Sequence, residues 1–216
     1  MGQDIVDAAA RLQRFAGDGL TRTLGAIEER SRGVMLETAS GLLDDIGADR
    51  ETFAAAALIK ALAGEINVTI HALGILRCLP HILQPGEVVE YVSLGAGNTG
   101  RLFDLETNLR VAEFKFITWR GGPESIRQNG VFKDFFALAH HDTPKTKHLY
   151  LLGADHALKF LRGGRALSSV LSRHVGLKEK FHARFEDRYR VVSDYYREHE
   201  HTVRVEDVTD WLKVRN

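Results

Sequence analysis

A chain of 216 residues fits one domain with an appendage, and a formal net charge of zero excludes a generally sticky polycation. Hydrophobic residues at 44% and charged residues at 27% are globular values. With no uninterrupted run of about eighteen apolar residues and no basic-then-apolar leader, a cytoplasmic location without a membrane partner is expected. The lone Cys78 excludes an intramolecular disulfide and any multi-cysteine zinc site.

Residues 1–48 read as a helical region: Asp4–Ala16, Thr21–Ser31 and Val34–Ile46, punctuated by Gly17, Gly19, Gly33 and Gly47 as helix ends prefer. Apolar positions at helical spacing (Leu24 and Ile27; Met35, Leu42 and Leu43) suit a cover for the core or a homodimer interface. Asp49 is a good N-cap for an Ala-rich helix reaching Leu79, which Gly64 and Gly74 kink or divide. Pro80 and Pro85-Gly86 end it before a strand, Val88–Leu94. Gly95–Gly100 then satisfies G-x-G-x-x-G, half of a dinucleotide-binding fingerprint. The fingerprint needs a helix opening within the glycines, yet the following residues alternate as a strand. The glycines therefore read as a connection, and a dinucleotide-binding enzyme is the third choice.

The most informative stretch is Asp104-Leu-Glu-Thr-Asn-Leu-Arg-Val-Ala-Glu113-Phe-Lys115. It reads as a strand Arg101–Glu106, a turn at Thr107-Asn108 and a returning strand Arg110–Trp119. An even turn sets Asp104 opposite Val111, on one face with Glu113 and Lys115. Ala112, Phe114 and Phe116 point the other way, into the core. Charges on a sheet face are costly unless they pair with each other or bind a cation. The bland form of that statement is a surface ion-pair cluster.

The pattern resembles the catalytic core of the PD-(D/E)XK nucleases, the restriction-endonuclease-like superfamily. Asp104, Glu113 and Lys115 match its two acids and its lysine, while Phe103 stands where the name-giving proline would be. The resemblance covers residues 60–155 and implies an α/β fold whose core runs helix, three antiparallel strands, helix, strand. That core occupies 49–155, with helical additions at 1–48 and at 156–216, the latter basic. It implies a further acid at Glu65, near the start of a helix Glu65–Leu79. It also implies a polar Gln128 facing the site from a helix that opens at Pro123, and a next strand at His148–Leu152.

The chemistry that goes with such residues is hydrolysis of a phosphodiester, an anion that repels hydroxide. Asp104 and Glu113 are hard oxygen ligands for Mg²⁺ or Mn²⁺, which lowers the pKa of a bound water. Lys115 would hold that water or offset phosphate charge. The expected substrate is nucleic acid, DNA ahead of RNA.

Beyond the core, Arg120 at the rim of the returning strand, with Trp119 beside it, and Arg127 and Lys133 on the next helix are candidate phosphate contacts. Helices are expected at Ala154–Arg162, Ala166–His174 and Lys178–Arg197. From His156 to Arg190, nine Lys or Arg stand against three acids. Arg184 and Arg188, four apart on one helix face, would meet a phosphate backbone or simply solvent. His140-His141-Asp142 ends a helix, and His199 and His201 alternate like exposed strand residues. Val203–Val214 has no assignable type. The leading reading is a metal-dependent nuclease; a nuclease-like binding or assembly protein without catalysis is the alternative.

Overall fold

The structure, a computed structural model, describes residues 2–95, 100–116, 119, 124–172 and 175–212. It is mixed α/β, with ten helices and one five-stranded mixed sheet among the described residues. The chain divides into two compact units, Met1–Asn67 and Val68–Asn216.

The first unit holds α1 (Gly2–Ala16), α2 (Leu20–Ser31), α3 (Leu36–Asp45) and the opening of α4 (Arg50–Ile82). Gly17 and Gly47 stop α1 and α3 at φ of 53° and 65°, a backbone that L side chains rarely adopt. Asp49 caps α4, accepting the Thr52 amide at 2.6 Å, and also holds Arg11 at 2.8 Å. The expected separate helix Glu65–Leu79 is part of α4, which neither Gly64 nor Gly74 divides. Pro80 lies inside its last turn and forgoes one i→i−4 bond without ending the helix; Leu83 N still reaches Leu79 O at 3.0 Å. α4 is long and apolar enough to cross a membrane by length and composition alone. Lys60, Glu65 and Arg77 interrupt the apolar run and hid that property from a reading by uninterrupted stretches.

The second unit is built on the sheet, in spatial order β1 (Val89–Val92), β2 (Leu105–Thr107), β3 (Arg110–Lys115), β4 (Thr146–Leu151) and β5 (Arg204–Asp207). The first three strands form an antiparallel meander; β3, β4 and β5 run parallel. α5 (Ser125–Ala139) makes the crossover from β3 to β4. The crossover to β5 carries α6 (Asp155–Leu161), α7 (Leu167–Leu171), α8 (Val175–Phe185) and α9 (Val192–His199), and α10 (Thr209–Leu212) follows. Residues 156–216 thus supply a strand to the sheet as well as helices. The expected helix Lys178–Arg197 is two, α8 and α9, and Glu186 at φ 49° stands just past the end of α8.

Both faces of the sheet are covered, and period-two alternation sorts the side chains between two cores. Val111, Leu149 and Leu151 pack with Phe132 and Phe135 of α5 and Tyr195 of α9. Ala112, Phe114, Phe116 and Tyr150 pack with Ile75 and Cys78 of α4. The expected half-exposed strand β3 is therefore covered on both sides, because a parallel crossover lays a helix over the face that a hairpin alone leaves open. α4 packs closely on its own face: a Cβ on Gly74 would stand 2.6 Å from the Phe116 ring. His199, expected on an exposed strand, ends α9 half-buried, its ring 4.5 Å from that of Tyr195.

A chain of buried polar groups crosses the start of β3 and β4. Thr107 Oγ1 donates to Glu87 at 2.6 Å, and the carboxylate of Glu87 accepts two bonds from the Arg110 guanidinium at 2.5 and 2.6 Å. Arg110 Nη1 donates to Tyr150 Oη at 2.9 Å, which lies 3.2 Å from His148 Nδ1; that nitrogen meets Glu206 at 2.6 Å. The Glu87 side chain is 0% exposed and that of Arg110 5%. Glu87→Ala would leave a buried guanidinium unpaired and should cost about 3–5 kcal/mol in denaturant unfolding. The Arg110 hydrogen bonds hold the Glu87 carboxyl at about 2, below its ordinary 4.5. Its contribution is therefore fully present above pH ~4.5 and is lost as pH falls towards 2, so the variant should lose part of the acid-side slope.

Candidate active site

The hairpin turn comprises Asn108 and Leu109, one residue later than expected. The Thr107 hydroxyl closes it by accepting the amides of Leu109 and Arg110 at 3.0 and 2.9 Å. Register follows: Leu105 faces Ala112 and Glu106 faces Val111, so two positions on, Asp104 comes level with Glu113 and not with Val111. Moving a turn by one residue moves the partner by two, which preserves the face. β2 also starts later than expected, at Leu105, and Leu102 to Asp104 form bends.

Asp104 sits where the ladder ends and substitutes a side chain for a strand. Its Oδ2 accepts the Phe114 amide at 3.0 Å, while its Oδ1 lies 3.4 Å from His71 Nε2 of α4. That carboxylate contact raises the imidazole pKa above its ordinary value, against the opposing effect of burial. On the α5 side of β3, Lys115 Nζ lies 3.0 Å from Glu113 Oε1 and 2.8 Å from Asp134 Oδ2. Asp134 belongs to α5 and is buried. It was missed in the sequence, although the charge interrupts an apolar stripe, Val131, Phe135, Leu138, at helical spacing.

The electrostatics of this cluster are unusual in one respect. Burial pushes the Glu113 carboxyl up to about 7, and the Asp134 and Asp104 charges add to that rise against the opposing pull of Lys115. Burial alone would lower Lys115, but Asp134 and Glu113 outweigh it and raise the ammonium above its ordinary range. Lys115 is therefore a cation at every physiological pH, a donor and a charge, not a base.

Two hollows meet at this cluster. The larger, about 1120 Å³, lies among the loop at Arg101–Phe103, α5 and α8; the smaller, about 360 Å³, is lined by Lys115, Ile126, Asn129 and Gly130. Glu113, Lys133 and Asp134 line both.

The other expected residues are scattered. Lys133 is exposed at both hollows and Arg184 lines the larger. Gln128 is buried and accepts a hydrogen bond from Arg165 instead of facing Glu113. Arg127 pairs with Glu124 at 2.6 Å. Arg188 lies beyond the end of α8, so it shares no helix face with Arg184, and Glu198 binds it at 2.8 and 2.9 Å. Trp119 is buried in the core beside Phe160. Glu65 falls in the first unit; α4 reaches the cluster through His71. Arg120, Pro123 and the middle of Gly95–Gly100 lie outside the described residues, and after Gly100 the chain bends into β2 without a helix.

Comparison with known protein families, curated proteins and solved structures finds no match. The site has to be read from its own chemistry.

Among the described residues, no three His, Cys, Asp or Glu side chains are gathered into a self-sufficient metal site. Mg²⁺ does not require one: it keeps several waters and takes one or two carboxylates together with substrate phosphate. Asp104 and Glu113 fit that role, since Glu113 feels the Asp104 charge and its own ionisation lacks full compensation. This gives a stability test. Because Glu113 binds its proton more tightly in the folded chain than at the ordinary 4.5, stability should fall as pH rises from about 4.5 to about 7. Glu113→Gln should flatten that slope and leave the protein more stable than its parent at alkaline pH, on the order of 1–3 kcal/mol. Parallel pH–stability curves for the two proteins would contradict it.

Proposed function

We propose that this protein is a metal-dependent nuclease that hydrolyses phosphodiester bonds, with DNA ahead of RNA as substrate. The observation that carries the reading is Lys115 held by Glu113 and Asp134 where two open hollows meet, with Asp104 near enough for its charge to act on Glu113. The succession α4, β1, β2, β3, α5, β4 supports it, because it is the order of the restriction-endonuclease-like core that the sequence resembles.

Asp104 and Glu113 would hold Mg²⁺ or Mn²⁺, which supplies charge neutralisation and an acidified water when bound. Asp104 is set by the Phe114 amide and His71, so it enters the reaction already oriented. Glu113 must give up its proton to act as a ligand, so acid should depress activity, and less so as Mg²⁺ is raised. The Lys115 ammonium donates to the attacking water or to a phosphate oxygen as charge develops there. Asp134 is a positioning residue, holding Lys115 from behind.

A second reading has its own support. A lysine fixed between two carboxylates is also what a structural ion-pair cluster looks like, on a chain that binds or assembles without cleaving. Incubation with DNA and RNA substrates, with and without Mg²⁺ or Mn²⁺, separates the two. Asp104→Ala, Glu113→Gln and Lys115→Ala should each lose at least about 10²–10³-fold in cleavage while melting cooperatively. Asp134→Asn should lose about 10- to 100-fold, as groups that orient a ligand do. Near-normal turnover by Asp104→Ala or Glu113→Gln would remove the mechanism, and a folded parent that never cleaves would favour the binding reading.

A further inference from the structure

Building on the nuclease reading, we infer that the larger hollow is a track for one unpaired strand of nucleic acid, phosphates on its cationic rim and bases against its apolar wall. Four cations line it: Arg101 from the loop, Lys133 from α5, and Lys180 and Arg184 from α8. The acids are confined to Glu113 and Asp134, at the place shared with the smaller hollow. Neither Lys133 nor Lys180 has an ion-pair partner among the described residues. Arg101 lies 3.6 Å from Glu106 and over the Tyr91 ring at 5.1 Å, and Arg184 lies 5.9 Å from the centre of the Phe185 ring. Like charges around one concavity repel each other and concentrate an anion between them.

The wall between these cations is apolar. Phe103, Phe136 and Leu177 line it, and the Phe103 ring stands edge-on to His141 at 4.9 Å. Two residues of the same lining are largely in water: Leu102 is 74% exposed and Val175 69%. His140 adds no charge, because burial first and the Arg184 cation second hold its imidazole down to about 4. A cationic groove with aromatic and apolar surface between the charges is how single strands are held, by phosphate contacts and base stacking. A duplex keeps its base faces inside and would use the rim alone. The hollow, about 1120 Å³, is somewhat larger than ordinary small-molecule sites, roughly 300–1,000 Å³, and has room for a short run of nucleotides. A strand lying in this hollow brings a phosphodiester to Glu113 at its end.

The test is fluorescence anisotropy of the full chain in EDTA, with a labelled oligothymidylate and with the same strand annealed to its complement. The strand should bind at least about tenfold more tightly than the duplex, more weakly as salt rises. Charge reversal of Lys180 and Arg184 together, both on α8, should lower strand affinity and flatten its salt dependence. Phe103→Leu, which keeps an apolar side chain but removes the ring, should cost about tenfold, near the lower end of one lost base stack. Duplex binding equal to or tighter than strand binding overturns the assignment. So does an unchanged strand affinity in both variants, each shown by its melting curve to be folded. The two readings fail separately: strand binding without cleavage in Mg²⁺ sinks hydrolysis and leaves the track standing, whereas cleavage confined to duplex does the reverse.

Discussion

The Lys115 ammonium, held between Glu113 on its own strand and Asp134 on α5, is the contact on which the second unit's chemistry rests. Three acids, counting Asp104, approach one another in a partly buried place. Without the ammonium their mutual repulsion and desolvation would favour protonation or separation. The ion pair to Asp134 also ties α5 to β3, beside the apolar packing of Phe132 and Phe135 on the same face. The Glu113 carboxyl is raised all the same, by burial first and by the charges of Asp134 and Asp104 after it.

Much of this was legible in the sequence, and for physical reasons. The alternation in Val111–Phe116 identified β3 and sorted its faces correctly, because side-chain parity survives an error in the position of the turn. The turn itself was displaced by one residue because the Thr107 hydroxyl bonds the amides of Leu109 and Arg110, a local choice that composition does not reveal. Asp104 was found by its spacing, whereas His71 and Asp134 were missed, since both reach the cluster from distant elements. Only a charge interrupting the apolar face of α5 pointed to Asp134. Glu65 and Gln128, taken from the resemblance, illustrate the opposite case: a position inferred from element order carries no information about where the side chain goes. Gln128 turns to Arg165, and its helix offers Asp134 instead.

The polar chain from Glu87 to Glu206 occupies the other end of β3 and β4 and belongs to different work. It joins the approach to β1 with β3, β4 and β5, so strands with no direct pairing are linked through side chains. Its members are each satisfied at both ends, which makes the arrangement specific in register as well as stable.

Gly74 gives the site a dependence on a residue that never touches it. Phe116 follows Lys115 along the chain and presses its ring against the bare Cα of Gly74, while His71, one turn earlier on the same helix, reaches Asp104. The smallest side chain at that place would act as a wedge, prising the helix from the sheet and tugging at both partners of the acid cluster together. Alignment of His71, Asp104 and Lys115 is thus governed by the thickness of a single missing methyl group.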